Sequence, residues 1–449
     1  MRILLPIICV MILSIGVSQE RRIEFEEYDL DNGLHVILHQ DNTTPIVNVS
    51  VLYHVGSKNE PEGRTGFAHF FEHLMFEGSP NIPRGQFFKI IESAGGQLNA
   101  NTSNDRTFYF ETLPSHQLEL GLYMESERML HAKIDSTGIA TQKEVVKEEK
   151  RLRVDNQPYG SILEETFSRV FEGTPYEWTP IGSFEDIDAA TDEDFKDFFA
   201  TFYVPNNATL SIAGDIDIAN TKSLIEKYFG EIPTGTKEIP RPIVQMKELG
   251  DVQAEVFDNI QLPAVIQAYQ MAEQGSEDYY AMQMLTTLLS GGQSSRFQKE
   301  LVDNQELAVA AGSFPFALED AGVFISFGIM NMGKTTEDLQ SAMDKEIERV
   351  KTEQIDDKEF QKLRNQIENS FVSSNSSMRG IAESLADYHV YFGDANLINN
   401  ELDRYMAVTK EDLQRVAQKY LDPNKRVQLV YLPKSAQQQP EGEEIEDNK

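Results

Sequence analysis

Residues 65–78 read TGFAHFFEHLMFEG, a stretch with the periodicity of an amphipathic helix. At 3.6 residues per turn, one side of this helix is apolar and the opposite side carries two histidines and a glutamate. Thr65 is a suitable N-cap and Gly78 a suitable stop, so we expect about three turns that pack on a sheet. The apolar side consists of Phe67, Phe70, Phe71 and Leu74.

The polar side of this predicted helix has the residue types of a metal-dependent hydrolase. His69 and His73 are one turn apart, so both imidazoles can reach a single metal ion. Glu72 lies beside them, where a carboxylate can accept a proton from a metal-activated water. Together they form the inverted zinc peptidase pattern H-x-x-E-H, in which the histidines bind zinc and the glutamate is the general base.

A catalytic zinc ion needs a third protein ligand, and the candidate is Glu149. It lies in the predicted helix TQKEVVKEEKRLRVDN and projects from the middle of the more apolar face, where a buried carboxylate needs a strong partner such as a metal ion. Taken alone, Glu149 is better explained as part of a charged helix surface. The more apolar face is defined by Gln142, Val145, Val146 and Leu152.

The constellation as a whole resembles the pitrilysin and mitochondrial processing peptidase family of zinc peptidases. Members carry HxxEH followed, further along the chain, by a glutamate ligand on a helix. The segments VGSKNEPEGRTGFAHFFEHLMFEGS, GGQLNANTSNDRTFYFETLP and EVVKEEKRLRVDNQP also match, and the resemblance runs from about Glu24 to Pro433. It implies one zinc ion per chain, bound by His69, His73 and Glu149, with Glu72 as general base.

The resemblance also implies roles for residues around the zinc ion. The segment Asn99-Ala100-Asn101 would be an edge strand beside the metal, to which an extended peptide substrate can add. Asn99 matches the family asparagine that contacts the substrate near the cleaved bond; the alternative is that it only satisfies local backbone groups. Many relatives have a glutamate where this chain has Gln142, whose amide can orient Glu149 but adds no charge.

The two ends of the chain differ from its interior. Residues 1–18, MRILLPIICVMILSIGVS, combine one positive residue, an apolar run and small residues suited to cleavage, which predicts a secretory signal peptide rather than a membrane anchor. Cys9, the single cysteine, falls within it, so the mature chain would have neither disulfides nor thiol catalysis. Residues 435–449 are acidic and predicted to be disordered. We therefore expect a periplasmic or secreted protein without a stable membrane anchor.

The charge balance limits the partners that the chain can bind. The sequence has 40 Lys and Arg against 73 Asp and Glu, a formal net charge of −33. Such a charge argues against nucleic acid or an anionic membrane as partner. A basic or hydrophobic peptide fits better.

The length of the chain and a pattern that occurs twice in its sequence predict two domains. Roughly 415 residues between signal and tail are too many for one core. The segments FYVPNNATLSIAGDI and KYLDPNKRVQLVYLP share a helix end, a Pro-Asn turn and a strand near the close of each half. We predict a catalytic αβ domain over 22–232, a linker over 233–250 and a homologous αβ domain without a metal site over 251–434. The fold class is α+β, with two mostly antiparallel sheets packed with helices in a clam-like half-chamber.

The remaining histidines are interpreted as structural. His35, His39 and His54 lie on predicted strands, and none has a partner at metal-ligand spacing. The second half contains a single histidine, His389, and no cluster with metal-ligand spacing.

The second half departs from the family pattern at two positions. Active chains often carry an arginine and, further on, a tyrosine that help to hold the substrate, and the aligned positions here are Val302 and Val309. In some members two homologous chains share one active site. The resemblance therefore predicts a homologous partner chain that lacks HxxEH and supplies the arginine and tyrosine, and it favours a heterodimer over a homodimer.

These observations predict an exported zinc-dependent endopeptidase that hydrolyses peptides or unfolded segments. Two rival functions remain: a non-catalytic peptide-binding or scaffold subunit of the same family, and a peptide-binding protein with a purely structural zinc ion. The intact H-x-x-E-H with Glu149 argues against the first. The second would need a closed fourth ligand position, which is most often a cysteine, and the mature chain has none.

Overall fold

A computed structural model describes residues 22–437 as two mixed sheets packed with helices. The α+β prediction with two mostly antiparallel sheets is confirmed. The predicted signal peptide, residues 1–18, and residues 438–449 of the predicted tail lie outside the described residues.

The first sheet has six strands in the order β1-β2-β6-β3-β5-β4. Neighbouring strands are antiparallel except β2 and β6, which run parallel. Strand β4 therefore lies at one edge of the sheet, and no other strand of residues 22–437 pairs with its outer side. The strands are β1 Glu26–Asp29, β2 His35–Gln40, β3 Ile46–Tyr53, β4 Gln97–Thr102, β5 Thr107–Pro114 and β6 Ala208–Gly214.

Eight helices lie in the first half of the described residues, and a π-helical turn at Arg151–Asp155 directly follows the fourth. Strand β3 shows why helices pack on the first sheet: Val47, Val49 and Val51 alternate along it and join one core with residues of the neighbouring helices. The helices are α1 Phe67–Leu74, α2 Phe87–Ser93, α3 Leu118–His131, α4 Ser136–Lys150, α5 Ile162–Val170, α6 Phe184–Ala189, α7 Asp192–Phe202 and α8 Ile218–Phe229.

The second sheet has five strands in the order β7-β11-β8-β10-β9, again antiparallel except for one parallel pair, β7 and β11. These are β7 Val252–Asp258, β8 Ala264–Met271, β9 Ala308–Ala317, β10 Gly322–Met330 and β11 Val427–Pro433. Six helices and a π-helical turn at Gln298–Asn304 lie in the second half of the described residues. The helices are α9 Glu277–Ser290, α10 Thr336–Thr352, α11 Asp357–Ser374, α12 Met378–Phe392, α13 Leu397–Ala407 and α14 Lys410–Tyr420.

The two sheets share one topology, which accounts for the pattern that occurs twice in the sequence. Strands β2, β6, β3, β5 and β4 correspond in order to β7, β11, β8, β10 and β9. The two segments with this pattern contain β6 and β11, and each of these strands belongs to the parallel pair of its own sheet. The edge strand β4 therefore has β9 as its counterpart in the second half.

Packing crosses the predicted division of the chain. Helix α5, from the first half, packs on the second sheet, where Phe167 joins the core around Ile266. Helix α12, from the second half, packs on β2, β3 and β6 of the first sheet, where Leu385 meets Ile37. Each half thus covers part of the other half's sheet. The domain boundaries in sequence remain a prediction.

The predicted linker, residues 233–250, contains neither helix nor strand. Among the described residues of the predicted tail, Ser435 and Ala436 belong to a short 3-10 turn, Lys434–Ala436. Within residues 22–437, no helix combines the length and apolarity that crossing a membrane requires.

Candidate active site

Helix α1 carries the H-x-x-E-H residues, and its start differs from the prediction. The N-cap position is Gly66, at φ +92, not Thr65, whose hydroxyl donates to Asp186 at 2.5 Å. The backbone N–H groups of Gly66 and Ala68 donate instead to the carboxylate of Glu60, at 2.9 and 2.8 Å. A buried carboxylate at a helix N-terminus matches the positive end of the helix dipole. Burial nevertheless raises the pKa of Glu60 to about 8.

The loop that holds Glu60 is anchored to the second half of the chain. Lys58 is buried and forms ion pairs with Asp105 at 3.2 Å and Asp320 at 2.9 Å, and it also contacts Glu319. Glu319 and Asp320 lie in the turn between β9 and β10. The second half therefore helps to position the start of α1.

Helix α1 ends at Leu74 and is 8 residues long, about two turns, so the expected three turns are wrong. Gly78 adopts φ +109 in the turn beyond the helix. The predicted apolar side is buried as expected. Within it, Phe67 stacks on Phe195 and Phe71 on Phe198, at centroid distances of 4.7 and 5.3 Å.

Three predicted ligand atoms converge between α1 and α4. The Oε2 atom of Glu149 lies 3.1 Å from His73 Nε2 and 3.7 Å from His69 Nε2. In a tetrahedral zinc site with bonds near 2.0 Å, ligand atoms are about 3.3 Å apart, so the donor set fits zinc. The two imidazole planes stand at 85°, which lets both rings direct a nitrogen at one point.

The protonation of this group suits metal binding. Burial, followed by the proximity of His73, lowers the pKa of His69 to about 4. The hydrogen bond with His73 is the main cause of a lowered pKa at Glu149. A neutral imidazole and an ionised carboxylate are the forms that bind metal ions.

The face of α4 around Glu149 is not buried as predicted. Val146 is buried, but Val145 and Leu152 are 44% and 55% exposed. Val145 is exposed because α4 borders a cavity, which Val145 and Glu149 both line, whereas Leu152 lies beyond α4 in the π-helical turn. Glu149 thus projects into the cavity and not into a core.

Glu72 also lines this cavity, and it is held by a residue that the sequence analysis missed. The hydroxyl of Thr102 donates to Glu72 Oε2 at 2.7 Å. Burial raises the pKa of Glu72, and this hydrogen bond opposes the rise. Thr102 is the last residue of β4 and shares a face with Ala100. The alternation of side chains along β4, which lies beside α1, could therefore have indicated that Thr102 is near Glu72.

Strand β4 places the predicted substrate segment at the sheet edge beside the cavity. Asn99, Ala100 and Asn101 all line the cavity, and β4 is an edge strand as expected. The side-chain oxygen of Asn99 accepts a hydrogen bond from the backbone N–H of Ala100 at 2.9 Å, which is the local role left open above. Contact of these residues with substrate remains a prediction.

Gln142 hydrogen-bonds to Glu77 and not to Glu149 in the structure. Its amide nitrogen donates to Glu77 at 2.5 Å, and its amide oxygen is buried without a partner among the described residues. Arg153 instead reaches the carboxylate of Glu149, with Nη1 2.9 Å from Oε1. Arg153 lies in the π-helical turn after α4, four residues after Glu149, and this spacing was the available signal for the ion pair.

The cavity has a volume of about 810 Å³ and is open to solvent. Its polar floor is the group of His69, Glu72, His73 and Glu149, and β4 forms one wall. Neither Val302 nor Val309 lines it: Val302 packs against the second core and Val309 is 48% exposed. The apolar part of the lining includes Phe76, Phe88, Val145, Leu163 and Ile181.

A second group of two histidines and a glutamate lies at strands β1 and β2, near the edge of the first sheet that is opposite β4. The rings of His35 and His389 stack at a centroid distance of 3.4 Å and an interplanar angle of 4°, with Glu27 3.4 Å from His35. Spacing in the sequence could not show this neighbour of His35, because His389 comes from the distant helix α12. His54, similarly, lies 3.0 Å from Glu319.

Two family models match the chain. The one described as insulinase, peptidase family M16, matches residues 35–179, and the one described as peptidase M16 inactive domain matches residues 189–367. The zinc protease PqqE of Helicobacter pylori is 32% identical over 437 residues, which cover 96% of this chain and 98% of that protein.

Solved structures have the same fold. The crystal structure of a protease from Helicobacter pylori superposes with a TM-score of 0.87 at 31% identity, covering 92% of this chain and 100% of that one. The periplasmic protease PqqL from Escherichia coli superposes with a TM-score of 0.74 at 19% identity. That match covers 91% of this chain and 47% of the PqqL chain.

Proposed function

The chain belongs to peptidase family M16, and on that premise we propose that it is a zinc-dependent endopeptidase that hydrolyses peptides or unfolded segments. The observation that carries the proposal is the convergence of His69, His73 and Glu149 at the floor of an open cavity, with Glu72 beside them. One zinc ion per chain would be held by these three ligands. It would supply Lewis-acid activation of water and of the peptide carbonyl.

Glu72 acts in this proposal as general base and then as general acid. Thr102 holds Oε2, which leaves Oε1 to accept a proton from the attacking water. As the C–N bond breaks, Glu72 returns that proton to the leaving amine. Burial raises the pKa of Glu72, and a carboxylate with a raised pKa is a stronger base toward the attacking water.

Strand β4 supplies the means to hold an extended substrate. No strand of the described residues lies beside its outer edge, so a peptide strand can pair there, and Asn99, Ala100 and Asn101 line the cavity at this edge. Pairing through the backbone selects extended chains of many sequences. Compact folded proteins cannot present such a strand, so peptides and unfolded segments are the proposed substrates.

Catalysis is favoured over a scaffold role. A binding subunit has no need for a carboxylate that is hydrogen-bonded beside three converging ligand atoms, as Glu72 is. The second half, which matches the model described as inactive, carries no comparable group of its own within the described residues.

We include a homologous partner chain in the proposal. Val302 and Val309 provide no polar side chain where the resembled family often has an arginine and a tyrosine, so those groups would come from the partner. The length of PqqL supports this, because one chain of that protease is long enough for two units of this fold. The proposed location is the periplasm or the outside of the cell, in line with residues 1–18 and with the periplasmic PqqL.

The proposal is tested by measuring zinc content and hydrolysis of quenched fluorescent peptides. The chain is assayed alone and with a homologous chain that lacks HxxEH, each beside the Glu72→Gln variant. We expect about one zinc per chain and hydrolysis that Glu72→Gln abolishes without losing zinc. Full activity of the chain alone would remove the partner from the proposal. Zinc without hydrolysis in every combination would support the binding-subunit function.

A further inference from the structure

Arg153 occupies a distinctive place in the cavity. The π-helical turn Arg151–Asp155 directly follows the helix that ends with the metal-ligand segment, and it brings Arg153 to the cavity wall. The side chain remains 76% exposed. Its guanidinium is therefore accessible to a molecule that enters the cavity.

Arg153 is also the single arginine or lysine that lines the cavity in the part of the chain that the structure describes. Its ion pair is with Glu149 Oε1 at 2.9 Å, through one of five N–H donors. An ion pair with so exposed a partner is weak and exchanges readily. Glu164, the carboxylate elsewhere in the lining, is already paired with Lys150.

We propose that Arg153 is a specificity-determining residue that binds a carboxylate of the substrate next to the scissile bond. This proposal rests on the endopeptidase function. The guanidinium touches the same carboxylate that approaches His73, so it lies beside the reacting position. Residues of an extended peptide are about 3.3 Å apart, which limits the contact to the first or second residue from the cleaved bond.

The chemistry of the contact favours an acidic side chain. A guanidinium binds a carboxylate through two parallel hydrogen bonds, a geometry that an amide cannot reproduce with equal strength. The net charge of −33 does not attract acidic peptides in general. The preference is therefore local: the expected substrate is a neutral or basic peptide with one Asp or Glu beside the cleaved bond.

Arg153 has an alternative role, which is to position Glu149 for the metal ion. That role predicts equal losses for all peptides and a change in zinc content. A substrate role predicts a loss confined to acidic peptides at unchanged zinc content. The two are separated by the ratio of kcat/KM values for matched peptides.

The experiment uses quenched peptides in pairs that differ only as Asp against Asn, or Glu against Gln, at each of two positions on either side of the cleaved bond. The peptides are amidated, and one further pair has a free carboxyl end near that bond, which distinguishes a side-chain from a terminal carboxylate. The active assembly is assayed with wild-type chain, Arg153→Gln, Arg153→Lys and Arg151→Gln. Arg151 is the matched control, because it lies in the same turn, pairs with Glu148 and does not line the cavity.

We expect the wild type to prefer the acidic member at one position by about tenfold, which one charge-assisted hydrogen bond can supply. Arg153→Gln should bring this ratio close to one, Arg153→Lys should give an intermediate ratio, and Arg151→Gln should leave it unchanged. An equal ratio in wild type and Arg153→Gln would overturn the proposal. So would an equal loss in the Arg151→Gln control.

A binding measurement keeps this test separate from the endopeptidase proposal. If no peptide is cleaved by the wild type, the endopeptidase function fails. Fluorescence anisotropy of the same pairs on the Glu72→Gln chain, with and without Arg153→Gln, then decides the role of Arg153. Tighter binding of the acidic member that disappears with Arg153→Gln supports that role, and identical affinities overturn it.

Discussion

Two groups of two histidines and one glutamate occur in the described part of the chain, and their geometries differ. In the first, the rings of His69 and His73 stand at 85°, and their nitrogens meet Glu149 at 3.7 and 3.1 Å. In the second, the rings of His35 and His389 are parallel within 4° and 3.4 Å apart. Lone pairs of parallel stacked rings do not converge, so the second group is poorly suited to a metal ion.

The surroundings differ in the same way. The first group lies at the floor of a cavity beside a general-base candidate and a sheet edge. In the second, His35 Nδ1 lies 2.7 Å from Asp29, and His389 belongs to α12, the helix that covers the first sheet from the second half. We interpret the stacked pair as a contact that holds the two halves together. The two groups therefore contain the same residue types but have different roles.

The largest expected effect comes from removing one histidine of each group. His73→Ala should reduce the zinc content from about one per chain to near zero and abolish hydrolysis, because two ligands do not hold a catalytic zinc ion. His389→Ala should leave both unchanged. Elemental analysis of the purified variants, together with peptide hydrolysis, measures this difference. Loss of a metal equivalent in His389→Ala would mean that the stacked pair also binds metal.

Removing zinc should lower the stability of the protein only when the first group is intact, whether or not the second group is. A ligand at 1,000 times its dissociation constant stabilises the folded state by about 4 kcal/mol. Thermal unfolding with saturating zinc and with a chelator should differ accordingly for the wild type and for His389→Ala. His73→Ala should show little difference between the two conditions. A zinc effect that persists in His73→Ala would place the stabilising ion elsewhere.

Substitutions of Thr102 test whether Glu72, beside the first group, must be held by a hydrogen bond for catalysis. Thr102→Val removes the hydrogen bond to Glu72 and should reduce kcat by about 10- to 100-fold, the value of one hydrogen bond to a charged group. Thr102→Ser keeps the donor and should retain most activity. KM and zinc content should change little in either variant. Equal activity of the Val and Ser variants would show that the hydroxyl does not position Glu72.

Short-range features of the site were accessible from the sequence. His69, Glu72 and His73 follow from the spacing of one helix, because helix geometry fixes which residues share a face. The edge position of β4 and the ligand role of Glu149 were expected from the resemblance. Strand alternation could also have placed Thr102 near Glu72.

Long-range contacts were not accessible. Glu60 caps α1 from outside the helix, and no local capping pattern contains it. The stacking of His35 on His389 depends on α12 crossing to the first sheet, which the order of elements does not specify. Arg153 is an exception, because it follows Glu149 by four residues, a spacing at which side chains on a helix meet, so this ion pair could have been predicted from the sequence. The contacts of Glu60 and of the stacked pair depend on tertiary packing, so patterns in the sequence do not supply them.

The smallest expected effect concerns acid stability and the stacked pair. Burial, followed by the proximity of His35, lowers the pKa of His389 from 6.5 to about 4. Between these values the unfolded chain binds a proton that the folded chain does not, so stability falls as the pH falls through this window. His389→Phe keeps a ring on His35 without this titration, and should therefore lose less stability between pH 7 and pH 5 than the wild type.

The effect should be modest because His389 is only partly buried. Urea unfolding midpoints of both proteins at pH 7 and pH 5, in the same zinc concentration, measure it. His69 also has a lowered pKa, but it is present in both proteins and cancels in the difference. Parallel losses in the two proteins would mean that His389 takes up its proton equally well folded and unfolded, and the stacked pair would then be no more than a packing contact at every pH.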